Sequence, residues 1–290
     1  MALPRADSTC GPGRHGSTLA VVPPPRPAPA GDDAPLTVAA LDRALDAGCV
    51  VAVYQPVHDL RSGHVVGVEA LARLRHPDTG RLLAPAEFVP LSERSGRAHL
   101  VDDAVASLAV PQAAAWRALR PGRPFSVGLN VSASRLWDRG LPARLQASAA
   151  AAGLPMDCLV IELTETALSD PDAGHDAVLW ELADLGVNVT MDDFCTGYSA
   201  LTHLLRLPVQ GIKIDRAFVA ASGTRRGRQV LAGLQALGDQ LDVHVVAEGI
   251  ETTEQLDLLR EIGTPFGQGY LFSRPLPVDG LTQYLLAPPA

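Results

Sequence analysis

At 290 residues the chain can hold one large α/β domain or two small ones, and 47% hydrophobic against 19% charged residues is the balance of an ordinary globular protein. A formal charge of −8 argues against a broad electrostatic footprint for duplex nucleic acid, while leaving room for a small phosphate ligand where metals or a few cations reverse the sign locally. Cys10, Cys49, Cys158 and Cys195 form no CxxC pair, which disfavours a disulfide framework or zinc site and fits a reducing cytoplasm; no apolar run approaches the roughly 20 residues of a membrane helix. Aromatics make up 4%, so Ala, Val and Leu carry most of the packing.

Residues 1–34 are rich in Pro, Gly, Ala and Ser without periodicity, the composition of a disordered extension. Leu19 to Val22 runs into three prolines and matches neither a signal-peptide core nor a cleavage site. From Pro35 the character changes. Leu36, Ala39, Ala40, Leu41, Ala44 and Leu45 recur at helical spacing and stop near Gly48. Strands are expected at Val50–Val57, Val65–Leu71, Phe125–Val131, Leu159–Leu163, Val187–Met191, Gly211–Ile214, Val243–Ala247 and Gly267–Phe272. Helical patterns fall at 86–95, 99–119, 135–152, 173–185, 225–241 and 252–262. His58 to Gly63, too short for a crossover helix, makes the first two strands an antiparallel hairpin. Eight strands with helical crossovers predict a (β/α) barrel of about 250 residues. An open doubly wound sheet is the alternative, but no Gly-rich phosphate loop follows any strand.

In such barrels, chemistry gathers where the strands end, because each strand delivers one or two residues to a shared mouth. Those ends carry Glu69 and Arg73, Asn130, Glu162 and Glu165, Asp192 and Asp193, Lys213, Glu248 and Glu251, and Gln268. A single carboxylate there is more often a cap or an ion-pair partner, and Glu251, near a helix start, is best read that way. Asp192 and Asp193 are different, since adjacent carboxylates repel unless a cation or proton intervenes. Several buried acids around one mouth are costly without counter-charge. Hard oxygen donors with one Asn amide, and no His or Cys, point to Mg²⁺ or Mn²⁺. Lys213, alternating with Ile212 and Ile214, faces the barrel interior, where it could serve as an ion pair or hold water or phosphate. The histidines show no ligand spacing.

The motifs also occur in a recognisable order. Tyr54-Gln55-Pro56, Val68-Glu69-Ala70-Leu71-Ala72-Arg73 and Arg75-His76-Pro77 come first, followed by Leu129-Asn130-Val131-Ser132 and Glu162-Leu163-Thr164-Glu165. Asp192-Asp193-Phe194, Thr196-Gly197-Tyr198-Ser199, Lys213-Ile214-Asp215-Arg216, Ala247-Glu248-Gly249-Ile250-Glu251 and Gln268-Gly269-Tyr270-Leu271-Phe272 complete the series. Together, across about Val51 to Pro275, they resemble the EAL domain family of cyclic-di-GMP phosphodiesterases. The resemblance implies one domain over residues 35–290, a modified TIM-type (β/α)8 barrel with an antiparallel first strand.

It further implies hydrolysis of cyclic-di-GMP to linear pGpG with two Mg²⁺ or Mn²⁺ ions, Ca²⁺ being inhibitory, in a homodimer. Glu69, Asn130, Glu162 and Asp192 would hold metal, with Asp193 binding or bridging the second ion. Lys213 would contact the attacking water and Glu248 would position it or act as base. Gln55 and Arg73 would contact the dinucleotide, and Gln268 would line the site. Glu165, grouped with Glu251, would anchor the loop after Asp193 that couples the dimer to metal binding.

Two positions depart from the pattern. Cys195 stands where glycine follows Asp-Asp-Phe, and a Cβ resists the positive φ that glycine accepts. Leu74 replaces an aromatic after the arginine, a matter of packing or base stacking rather than chemistry. The competing function is a degenerate domain that binds the dinucleotide or a protein without turnover. Only Cys195 speaks for it. An unrelated barrel enzyme would leave the ordered motifs unexplained.

Overall fold

The computed structural model describes residues 36–168, 176–195 and 200–287. The predicted extension and the Thr196–Ser199 motif lie outside them. Helix α1 (Val38–Asp46) leads into the hairpin of β1 (Val50–Asp59) and β2 (Val65–Arg75), then β3 (Leu82–Leu83), α2 (Pro85–Arg94) and α3 (Ala98–Leu119). Strand and helix then alternate: β4 (Ser126–Asn130), α4 (Leu141–Ala152), β5 (Leu159–Thr164), α5 (Asp176–Asp184), β6 (Asn188–Phe194), α6 (Ala200–Arg206) and β7 (Val209–Ile214). The chain continues through α7 (Arg216–Ala220), α8 (Arg225–Leu241), β8 (His244–Ala247), α9 (Thr253–Glu261), β9 (Phe266–Gly267) and α10 (Val278–Leu286).

Eight strands close a ring, with β3 attached outside it to β2. β1 is antiparallel to both its neighbours, β2 and β9, and the remaining ring contacts are parallel. The predicted barrel with a reversed first strand is therefore present, and the open sheet is excluded. The hairpin turn shows why the reversal is local. Asp59 Oδ1 accepts the backbone N–H groups of Arg61 and Ser62, and Gly63 takes a φ of 73° that a side chain would resist.

Several elements differ from their expected extents. β2 runs to Arg75, so Glu69 and Arg73 lie within the strand rather than beyond its end. The expected strand 267–272 is a two-residue pairing, after which Leu271 N–H turns to Ile250 O and Phe272 N–H to Gly269 O. The helical pattern at 135–152 divides into a 3-10 turn, Ala133–Trp137, and α4, because Asp138 gathers the Gly140 N–H and the guanidinium groups of Arg135 and Arg144. Short α6, α7 and α10 add to the predicted helices.

The period-two alternation of strands sorts side chains between two compartments. On β1, Val50, Ala52, Tyr54, Pro56 and His58 are buried against the helices, while the alternate residues face the lumen. The outer compartment is dominated by Val, Leu and Ala, as the composition foretells. Several of its few aromatics meet near α3 and α10. The Tyr54 and Trp116 rings meet edge to face at 4.7 Å, and Trp116 Nε1 donates to Thr282 Oγ1 at 2.8 Å.

His58 sits in the same region, stacked on Phe272 at 4.3 Å with Nε2 3.0 Å from the Tyr284 hydroxyl. Burial, aided by the Arg120 charge, lowers its pKa from 6.5 to about 4. A base with a depressed folded pKa contributes stability that is complete above pH 6.5 and lost as the pH falls toward 4, because the unfolded chain binds the proton first. Urea unfolding at pH 7 and 4.5 should therefore show a loss of roughly 2–3 kcal/mol from this residue. In His58→Phe that part of the slope should vanish; an unchanged slope would assign the acid sensitivity elsewhere.

Candidate functional site

The C-terminal ends of the parallel strands surround one upper mouth, and strand register brings the predicted side chains onto adjoining levels of its wall. Gln55 pairs with Glu69, Glu69 with Gly128, and Asn130 with Glu162 along neighbouring strands. Asp192 pairs with Thr164 just above Glu162, while Lys213 lies in register with Val246. Glu248 and Gln268 follow β8 and β9, held by their backbone N–H groups to Ile214 O and Ala247 O.

Lys213 is the centre of the arrangement. Its Nζ lies 3.0 Å from Glu69 Oε2, 3.0 Å from Glu162 Oε2, 3.4 Å from Asp192 Oδ1 and 2.7 Å from Glu248 Oε1. It is also the only lysine in the sequence, every other side chain among the 24 Lys and Arg residues being arginine. Gln268 Nε2 donates to Glu69 Oε2 at 2.6 Å and to Glu248 Oε1 at 3.0 Å, and Asn130 Nδ2 donates to Glu69 Oε1 at 2.9 Å. Asp193 stands beside them, its N–H donating to Asp192 Oδ1.

Two overlapping groups of carboxylates could each hold a cation: Glu69, Glu162 and Asp192, and then Asp192, Asp193 and Glu248. One ammonium faces five carboxylates, and the electrostatic consequences are visible group by group. Burial, reinforced by the charges of Glu69 and Asp192, pushes Glu162 well above the usual carboxylate range despite Lys213. Burial likewise raises Glu248 to about 7 and, with Asp192, raises Asp193. Burial opposes ionisation of Glu69 too, but the Lys213 charge and the hydrogen bonds from Gln268 and Asn130 outweigh it and lower its pKa. For Lys213 the desolvation cost is overcome by Glu162, Glu248 and Glu69, which hold its pKa well above normal. The cluster is short of positive charge, and the buried Gln268 Oε1 has no hydrogen-bond partner. All-oxygen donors with uncompensated charge fit hard divalent ions.

Small residues make this crowding feasible. A Cβ on Gly128 would collide with Glu162 Oε1, so the glycine leaves room for that carboxylate to lean across β4. The Glu248 loop needs Gly249, at φ 65° and against the Arg216 side chain, and Gly269 meets the Ile250 backbone where a Cβ has no space. Neither glycine role is evident without the fold.

The other predicted residues are placed as follows. Arg73 stands on the inner face of β2 above Glu69, half-buried, its Nη1 donating to Ala72 O. Gln55 Nε2 reaches Ser273 O at 3.4 Å; neither side chain joins the cluster. Near Arg73 the half-exposed Tyr270 ring carries the Arg274 guanidinium at 4.3 Å, a polar and aromatic rim that the sequence reading left unassigned. Glu165 is buried beside Cys195, whose thiol is raised first by burial and then by the Glu165 charge. Glu251 is exposed, outside the cluster, its N–H donating to Gln255 Oε1 just before the Thr252 cap of α9. Cys195 adopts φ 66° and Asp193 φ 52°. The turn thus takes the conformation in which a Cβ is strained at Cys195, while Asp tolerates it more readily.

The EAL domain family profile matches residues 38–275. The chain is 38% identical over 234 residues to cyclic di-GMP phosphodiesterase PA2567 of Pseudomonas aeruginosa, covering 80% of this chain and 39% of that protein. It is 36% identical over 248 residues to oxygen sensor protein DosP of Escherichia coli K12, covering 85% and 31% respectively. The chain thus spans about a third of the length of such relatives. Among solved structures, a PaMucR phosphodiesterase–c-di-GMP complex superposes with a TM-score of 0.77 at 32% identity, covering 84% of this chain and 98% of that one. The FimX EAL domain from P. aeruginosa bound to c-di-GMP gives 0.73 at 26% identity, covering 82% and 96%. With the barrel, the ordered motifs and this profile in agreement, the chain belongs to the EAL domain family.

Proposed function

We propose that this chain is a metal-dependent phosphodiesterase that hydrolyses cyclic-di-GMP to linear pGpG. The observation that carries the reading is the ring of carboxylates around Lys213, with two overlapping groups of three able to hold divalent ions. Glu69, Asn130, Glu162 and Asp192 would hold one ion and Asp193, with Glu248 and Asp192, the second. Two such ions, Mg²⁺ or Mn²⁺, would supply charge neutralisation and acidify the attacking water.

The chain's own groups do the rest. Lys213 keeps Glu69 and Glu162 aligned, and an N–H now given to one of these carboxylates would turn to the water once an ion takes that carboxylate. Glu248, whose Oε1 lies 2.7 Å from Lys213 Nζ, would position the water or accept its proton. Arg73, on the inner wall above Glu69, and Gln55, level with Glu69, would bind the substrate phosphate and guanine edges, the arginine as a two-pronged clamp. Gln268 fixes Glu69 relative to Glu248. Glu165 supports the loop carrying Cys195. Among the described residues Cys49, Cys158 and Cys195 are free, which suits the proposed cytoplasmic setting, and no helix is long and apolar enough to cross a membrane. Exposed Trp180 on α5 and exposed Leu201 and Leu205, one helical turn apart on α6, are apolar side chains that the proposed homodimer would cover. The second reading, binding without turnover, is favoured by the strain at Cys195 alone.

Purified protein with Mg²⁺ or Mn²⁺ should convert cyclic-di-GMP to pGpG, and Ca²⁺ should inhibit because it tolerates looser geometry. Glu69→Ala should reduce kcat to below about a hundredth of wild type. Tight binding of the dinucleotide by metal-loaded wild type with no product would replace the hydrolase reading by the sensor. Lys213→Arg keeps the charge but exchanges a compact ammonium for a planar fork, so kcat should fall roughly a hundredfold. Activity within twofold of wild type would rule out the point-charge role. Cys195→Gly should gain about 1 kcal/mol in urea unfolding and increase turnover; unchanged stability, kinetics and dimerisation would remove strain as a factor.

A further inference from the structure

The barrel interior does not end at the carboxylate ring. Because inward side chains recur every second residue, the level below Glu162, Asp192, Lys213 and Glu248 is made of Val160, Thr190, Gly211 and Val246, with Gly128 below Asn130 and Val57 below Gln55. In most barrels of this kind bulky side chains fill such a layer. Here it is too small to do so. A Cβ on Gly211 would stand 2.7 Å from Thr190 Oγ1, and one on Gly128 would strike Glu162, so neither position has room for a side chain that could plug the lumen. The result is a cavity of about 550 Å³, opening at the end opposite the carboxylates and reaching up to Glu162 and Lys213. That volume lies in the range of sites for small organic ligands, roughly 300–1,000 Å³.

The cavity wall is polarised along its axis. Val57, Val160, Val246 and Phe266 supply apolar surface inside, whereas Arg117 and Arg123 stand at the lower rim. Asp59 and Asp157 are also there, but Asp59 Oδ1 is engaged by the Arg61 and Ser62 N–H groups and Asp157 Oδ1 by the Cys158 thiol. No carboxylate pairs with either arginine among the described residues. A third guanidinium, Arg120, lies behind this wall over the Phe125 ring at 5.8 Å, so three guanidinium groups stand against the two carboxylates of the rim.

We infer that this lower cavity is a second binding site, distinct from the upper mouth, for a small organic anion with an apolar body, such as an aryl or alkyl carboxylate, sulfonate or phosphate. The anionic group binds Arg117 and Arg123 and the body enters between Val57, Val160 and Val246. Its inner end lies against the undersides of Glu162 and Lys213, so occupancy is felt by the carboxylate ring without contact with anything bound above.

The test is fluorescence titration of the full chain with 1-anilinonaphthalene-8-sulfonate, beside its uncharged analogue N-phenyl-1-naphthylamine, and needs no turnover. One equivalent of the sulfonate should bind per chain. The double variant Arg117→Ala/Arg123→Ala, altered only at exposed side chains, should raise its Kd about tenfold and leave the uncharged dye within twofold. Val160→Phe, which fills the shaft, should abolish binding of both. Absence of a saturable site in wild type overturns the inference. So does sulfonate binding that neither variant alters, which would place the dye on an exposed apolar face such as that of Trp180 and Leu205.

Discussion

A single ammonium group buried beneath four carboxylates is the constraint on which the upper half of this barrel depends. Taken from water alone, Lys213 would lose its proton or destabilise the fold, and each carboxylate would do likewise. Together they hold one another in place: three N–H donors on a compact head can point to Glu69, Glu162 and Glu248 at once, with Asp192 just beyond. A guanidinium distributes its donors in one plane and requires more room. In a chain that uses arginine everywhere else, this position retains the one cation whose shape suits a convergent cage.

The same two-residue period that builds the cage also creates the space below it. Each strand that raises a carboxylate or amide to the upper level must place another residue directly beneath. The cage needs small neighbours there, because Glu162 leans over Gly128. Tight packing above and open volume below are thus linked outcomes of one register, and stability has to come from the outer compartment. There, Trp116, Tyr54 and the Val, Leu and Ala faces of the helices bury the apolar surface that the lumen does not.

Much of this was legible in the sequence for a physical reason: long amphipathic helices and alternating strands print their period over enough residues to be read. The (β/α)8 architecture, the reversed β1 and the convergence of Glu69, Glu162, Asp192, Lys213 and Glu248 follow from that pattern. Helices α6 and α7 have too few turns to show a stripe. Tyr270 to Phe272 looked like a strand because it is apolar, yet its backbone is claimed by the Ile250 loop. The apolar alternation stops at Leu71, which sets Glu69 near the expected strand end, whereas Ala72, Arg73 and Leu74 continue the pairing with β1. The positive φ at Cys195 was foreseen only conditionally, since a sequence names the residue but not the dihedral. The rarity of lysine was in plain view and carried the strongest unused hint.

The reversed first strand has one more effect, on where the polypeptide enters and leaves. In an all-parallel barrel the first strand starts at the floor. Here Val50 starts level with Leu74, so α1 joins at the rim that carries the carboxylates. At the other end, Tyr284 on α10 sits against His58, beside the floor of the barrel. The chain thus enters the barrel through a helix that ends at the carboxylate rim and leaves it along a helix that passes the floor. Reversing one strand separates entry and exit, placing them at opposite openings of the lumen.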